Sequence, residues 1–201
     1  MVTIIATDGS SIRDFDENQD EVFYCAGGYV AEVYEKKERI DSFEEGKYLG
    51  KATNNIAELS GLIMGLKKVK EKGLDMGIVL LICDSAYMIN SVSKWYYKWI
   101  RGLRPGELPI TTSGTEVKNF DLITEANKLY RSCPHAKFLK IRSHVPSNEL
   151  QANYKKFVEK NNYPCSYDLF FKFHELNNHC DVLVHTLAKN RGKNPEDEWG
   201  D

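Results

Sequence analysis

Residues 77–83 (GIVLLIC) are the most apolar short run in the chain. A run of that length without polar alternation reads as a central, buried strand. Residues 2–7 (VTIIAT) read as a second buried strand, β-branched and equally free of charge. Each run ends in an acid, Asp8 in Asp8-Gly9-Ser10 and Asp84 in Asp84-Ser85. Between them Ile56, Leu59, Leu62, Ile63, Leu66 and Val69 recur at helical spacing, so residues 53–72 form a helix with one apolar face for a sheet. Asn54 or Asn55 is expected to cap its start and Gly73 to stop it.

The remaining chain fills in a mixed α/β domain. Residues 22–35 read as a strand in which Gly27-Gly28 marks a bulge or a close backbone approach. Residues 39–49 are a further strand, and 136–142 a last one, followed by Ser143-His144. Residues 120–130, 148–160, 167–175 and 181–189 read as helices, whereas 11–21 is an acidic loop and 103–115 a proline- and glycine-bearing one. A length of 201 residues fits one domain, taken as 1–190 with a polar tail at 191–201. The formal net charge of −2 gives no general attraction to nucleic acid, so any polyanion site must be local. Five scattered cysteines without C-x-x-C spacing read as reduced thiols, and no apolar run reaches membrane-spanning length. These features imply a cytoplasmic protein with no membrane partner.

If the two acid-ended strands lie parallel and adjacent, Asp8 and Asp84 emerge at one sheet edge, where α/β folds place their sites. Glu58, one turn into the helix, can meet them there. Gathered carboxylates repel unless cations neutralise them, and hard oxygen ligands favour Mg²⁺ or Mn²⁺ over zinc. Two such ions about 4 Å apart serve in-line attack of water on a phosphodiester. Each acid also has a local alternative. Asn55-x-x-Glu58 has capping-box spacing, Asp8-Gly9 is a turn dipeptide, and Asp84 and Asp181 are acceptable N-caps.

Taken together, the motifs resemble type I ribonuclease H. Thr7-Asp8-Gly9-Ser10, Gly27-Gly28-Tyr29, Thr53-Asn54-Asn55-x-x-Glu58-Leu59, Asp84-Ser85-x-Tyr87, Trp95-x-x-x-Trp99 with Val117-Lys118-Asn119-x-Asp121-Leu122, Ser143-His144 and Asn177-x-x-x-Asp181 follow the family's order. The resemblance implies a ribonuclease H-like fold, a five-stranded mixed sheet flanked by helices. It implies hydrolysis of the RNA strand of RNA–DNA hybrids with two Mg²⁺ (Mn²⁺ as substitute), leaving 5′-phosphate and 3′-hydroxyl ends. It assigns Asp8, Glu58, Asp84 and Asp181 as metal ligands and catalytic residues, with His144 assisting proton movement or product release. It puts Asn54, Asn55 and Asn177 against the hybrid's minor groove, Thr53 at a DNA-strand phosphate and Trp95 beside the DNA-strand channel, with Trp99 structural. The enzyme is expected to act as a monomer. The alternatives are a hybrid-binding module without turnover and a resolvase-like nuclease of the same superfamily.

Three departures qualify the resemblance. The loop at 11–24 is longer and more acidic than the family's, so Asp14, Asp16, Glu17, Asp20 and Glu21 are expected to repel a phosphate backbone. Ala86 stands where many relatives carry glutamine, and Arg101 and Arg104 are the only cations of the handle loop. The interval from His144 to Asp181 holds a helical insertion before the last helix, about residues 146–173. It is expected to be a helical hairpin packed on the body, with a substrate-gripping surface as the alternative. It also brings a second histidine, His174, close to Asn177-x-x-x-Asp181.

Overall fold

The computed structural model describes residues 1–104 and 106–193. The apolar run becomes β4 (Ile78–Cys83), following β1 (Val2–Phe15), β2 (Glu21–Glu35), β3 (Glu38–Lys51) and α1 (Asn54–Glu71). After it come α2 (Ala86–Asn90), a wide π turn (Ser91–Trp95) and α3 (Tyr96–Trp99), which continue one another. The chain ends in α4 (Phe120–Ser132), β5 (Ala136–Lys140), α5 (Leu150–Asn161) and α6 (Tyr167–Lys189).

The five strands form one sheet in the order β3-β2-β1-β4-β5. β1, β4 and β5 run parallel, and the β1–β2 and β2–β3 pairs are antiparallel. Because strand side chains alternate, the apolar strands feed two cores. Ile5, Leu81 and Cys83 pack with Leu59, Leu62 and Leu66 of α1 and Ile123 of α4. Ile4, Ala6, Leu80 and Ile82 pack on the other face with Phe157 of α5 and Phe170, Phe173 and Leu176 of α6. Trp99 packs against the first core, whereas Trp95, its ring 5.9 Å away, is exposed.

Several expectations are corrected here. Residues 11–15 and 21 are not loop: β1 and β2 pair as far as Phe15↔Glu21, leaving only a short turn at residues 16–20. The Asp16 carboxylate accepts from the Asn18 and Asp20 N–H groups at 3.0 and 3.1 Å and pairs with Lys51, which closes that turn. Pairing also tempers the expected repulsion, since Asp14 meets Arg191 and Glu21 meets Arg13. The cap of α1 is Thr53 rather than Asn54 or Asn55; its hydroxyl accepts from the Ile56 N–H. Gly73, at φ +69°, follows the helix end as expected.

The insertion is helical but is not a separate hairpin. Its second arm runs without a break into the last helix, because no residue in 175–181 interrupts the apolar face of α6. Its first arm, α5, covers the open edge of β5. The Asn161 amide accepts from the Lys140 N–H at 2.7 Å and donates to the Lys140 carbonyl at 3.0 Å, replacing the ladder bonds an edge strand lacks. At the far end, Arg191 lies 4.3 Å above the Tyr24 ring, so the beginning of the expected tail is tied to the hairpin. The rest of that tail, 194–201, lies outside the described residues. Among the described residues all five cysteines are free thiols, and no helix is long and apolar enough to cross a membrane.

Candidate active site

The parallel register of β1 and β4 puts two acids at one level. The ladder ends at Ala6↔Ile82, and two residues beyond it stand Asp8 and Asp84. Asp8 stays in β1, opposite Gly28 of β2, so the turn alternative for Asp8-Gly9 is not realised. Asp84 has left the sheet, and the cap of α2 is Ser85, whose hydroxyl accepts from the Met88 N–H. The two strands part here, and Glu58 of α1 enters the gap. Ligand oxygens of Asp8, Glu58 and Asp84 all lie within 4.8 Å of one another.

Missing side chains bring α1 that close. A Cβ on Gly9 would stand 2.3 Å from the Glu58 nitrogen, and one on Gly27 would stand 2.2 Å from the Ala57 carbonyl oxygen. Helix backbone therefore rests directly on strand backbone at the turn that carries Glu58. With Thr53 as cap, Glu58 also stands too far along for a capping box, so that alternative is removed.

The group is electrostatically strained. Burial, then the nearby Asp84, raises the Asp8 carboxyl to about 7, against the opposing hydrogen bond from the Gly9 N–H. Burial, then Asp8 and Asp84, raises Glu58 to about 9, against a hydrogen bond from Asn54. One Glu58 carboxylate oxygen is buried without any hydrogen-bond partner. Three acids in so small a volume cannot all ionise without a counter-charge. Their donors are oxygens only, with no thiolate or imidazole among them. That set fits a hard divalent cation.

The other expected site residues are spread around this group. Asp181 lies half-buried on α6; its charge adds to the rise at Asp8, but it stands outside the tight cluster. His144 is exposed just past β5 with a left-handed φ of 50°. His174 is buried against Phe170, ring centres 4.7 Å apart, and burial lowers it to about 4, so its imidazole is neutral near pH 7. Thr53, Asn54 and Asn55 are exposed at the start of α1, and Trp95 is exposed on the π turn. Asn177 is buried on α6, and neither polar atom of its amide has a partner. Sequence reasoning passed over Lys137, Lys140 and Arg142, which line a cleft beside Asp84; three cations within six residues at the end of β5 were the available signal.

A family model for RNase H matches residues 2–156. The chain belongs to the ribonuclease H family. That match spans the three clustered acids and stops short of α6, the helix that carries Asp181. Among curated relatives, a ribonuclease H from Caldicellulosiruptor saccharolyticus is 33% identical over 121 residues, 59% of this chain and 73% of that protein. One from Clostridium botulinum is 30% identical over 141 residues, 70% of this chain and 83% of that protein. A solved structure of the PFV RNase H domain superposes with a TM-score of 0.54 at 22% identity, covering 80% of this chain and 94% of that domain. This last likeness concerns the ribonuclease H fold, with its five-stranded mixed sheet.

Proposed function

We propose that this ribonuclease H hydrolyses the RNA strand of RNA–DNA hybrids with two divalent ions, Mg²⁺ or Mn²⁺, held by Asp8, Glu58, Asp84 and Asp181. The observation that carries this reading is the convergence of Asp8, Glu58 and Asp84 within 4.8 Å at the point where β1 and β4 part. When bound, the ions would activate an attacking water and stabilise the leaving 3′ oxygen, leaving 5′-phosphate and 3′-hydroxyl products. Asp8, buried in β1, would be one of the ligands that hold the ions. Asp181 would complete the set from the opposite layer.

His144, just past the end of β5 and open to solvent, would exchange protons with products. His174 is too buried to carry a proton near neutral pH and is read as a wall of the site instead. Asn54 and Asn55 present polar side chains at the entrance, where 2′-hydroxyls distinguish RNA from DNA. Residues 1–190 are read as one catalytic unit that works as a monomer in the cytoplasm.

Substrate choice tests the reading. Purified protein with Mg²⁺ is offered end-labelled RNA–DNA hybrid, double-stranded RNA and a branched DNA. Internal cuts confined to the RNA of the hybrid are expected. Cleavage of branched DNA in preference would make this a resolvase-like nuclease, and hybrid binding without cuts would make it a binding module.

A further inference from the structure

Beside Asp84 the end of the sheet opens into a cleft of about 870 Å³, walled by α2 and the π turn on one side and by α5 on the other. Its volume is that of a site for a sizeable ligand, not for a single ion. Six cations line it, Lys94, Lys137, Lys140, Arg142, Lys156 and Lys160, and the one acid is Asp84 at its end. In a chain of 27 basic and 29 acidic residues, that is a strong local excess.

Arg142 pairs with Glu149 at 3.0 Å, and Lys137 is engaged by the Asn162 carbonyl and the Tyr163 ring. Lys94, Lys140, Lys156 and Lys160 enter no ion pair among the described residues. Gathered like charges without acids repel one another, and an anion relieves them. The buried His174 also stands in this wall, with its Nε2 unpartnered. The lysines come from three elements, so they suit successive phosphates of a strand.

We propose that this cleft, built by the insertion, holds the sugar–phosphate backbone of the RNA strand where it continues past the acids. The proposal rests on the reading of those acids as the cleavage site, because Asp84 belongs to both. It gives the insertion a role: α5 covers the β5 edge and turns Lys156 and Lys160 toward a strand that the acidic net charge would otherwise repel.

The test uses Lys140→Gln/Lys156→Gln/Lys160→Gln, all exposed positions whose loss leaves the cores intact. The comparison variant is Lys36→Gln/Lys37→Gln/Lys70→Gln, equal in charge and away from the cleft. KM and kcat are measured over a range of KCl with hybrids in which only the RNA, or only the DNA, extends beyond the duplex. For the cleft variant, KM for the RNA-extended hybrid should rise about tenfold, and the slope of log KM against log salt should fall by about 2, as for three lost phosphate contacts on a single strand. Its kcat should be unchanged.

An unaltered KM and slope, or an equal change in the comparison variant, would overturn the proposal. So would a selective loss for the DNA-extended hybrid. Fluorescence anisotropy of labelled RNA in EDTA reads the cleft without cleavage. Weaker binding by the cleft variant supports the proposal even if no hybrid is cut, a result that would remove the nuclease reading alone. Equal binding by both variants would overturn it.

Discussion

Asp8 and Glu58 hold protons that a carboxyl group in water gives up well below neutral pH, because burial first, and then the charge of Asp84 at both and of Asp8 at Glu58, oppose ionisation. Both folded values lie above the unfolded ones. Each acid therefore contributes stability that is fully present below its ordinary range near 4, and that is lost as pH rises through about 7 for Asp8 and about 9 for Glu58. His174 works in the opposite sense: with a folded value of about 4, its contribution is present above the ordinary histidine range and lost on acidification. A variant isolates the acid. In EDTA, Glu58→Gln should melt several degrees above the parent at pH 8, and the gain should shrink at pH 5. Divalent metal should stabilise the parent more at pH 8 than at pH 5 and stabilise the variant less at both. Thermal melts at the two pH values decide this; a gain independent of pH would show that Glu58 is not the strained group. The sequence could place these acids near one another through motif order and strand ends. It could not show which histidine is buried, since His144 and His174 both stand near the motifs and differ only in what the insertion packs around them.

At the scale of elements, the site depends on how closely α1 approaches β1 and β2. Gly27→Ala should force α1 away, because its new methyl would meet the Ala57 carbonyl oxygen, a backbone atom fixed by the helix. Overpacking of this kind costs about 1–3 kcal/mol, a loss of about 2–12 °C in melting temperature for a chain of this size. Glu58 would move with the helix, so cleavage should fall more than stability accounts for when both are measured at a temperature where the variant is fully folded. An active variant with an unchanged melt would contradict the close approach. Elements with a clear period were legible: β4, the apolar face of α1 and the strand with Gly27-Gly28 all stand where the spacing put them. The hairpin was not. Residues 11–21 carry so many acids that local composition points to a loop, whereas Asp14 and Asp16 are neutralised by Arg191 and Lys51, far along the chain, and Glu21 meets Arg13 only once β1 and β2 have paired. The continuity of α6 was hidden for a related reason. Asp181 has the chemistry of a cap, yet the buried Leu176, Asn177, Cys180 and Val184 carry one helical face straight through it.

For the molecule as a whole, two layers of helix on one mixed sheet leave the carboxylates at the strand ends, and the excess of acid over base leaves no general field to draw in nucleic acid. Attraction must come from local groups, and the cleft beside Asp84 concentrates them. If the gathered acids cut RNA through bound metal, cleavage must depend on both the ion and its ligands. The most direct measurement is Mg²⁺-dependent cleavage of an end-labelled RNA–DNA hybrid by the parent protein and by Asp84→Asn, which preserves shape and removes one ligand charge. Internal RNA cuts by the parent that disappear in EDTA and fall at least a hundredfold in Asp84→Asn are predicted, a loss of about 2.7 kcal/mol or more in transition-state stabilisation. A parent inert in both Mg²⁺ and Mn²⁺, or an Asp84→Asn protein that cuts as fast as its parent, would contradict the account.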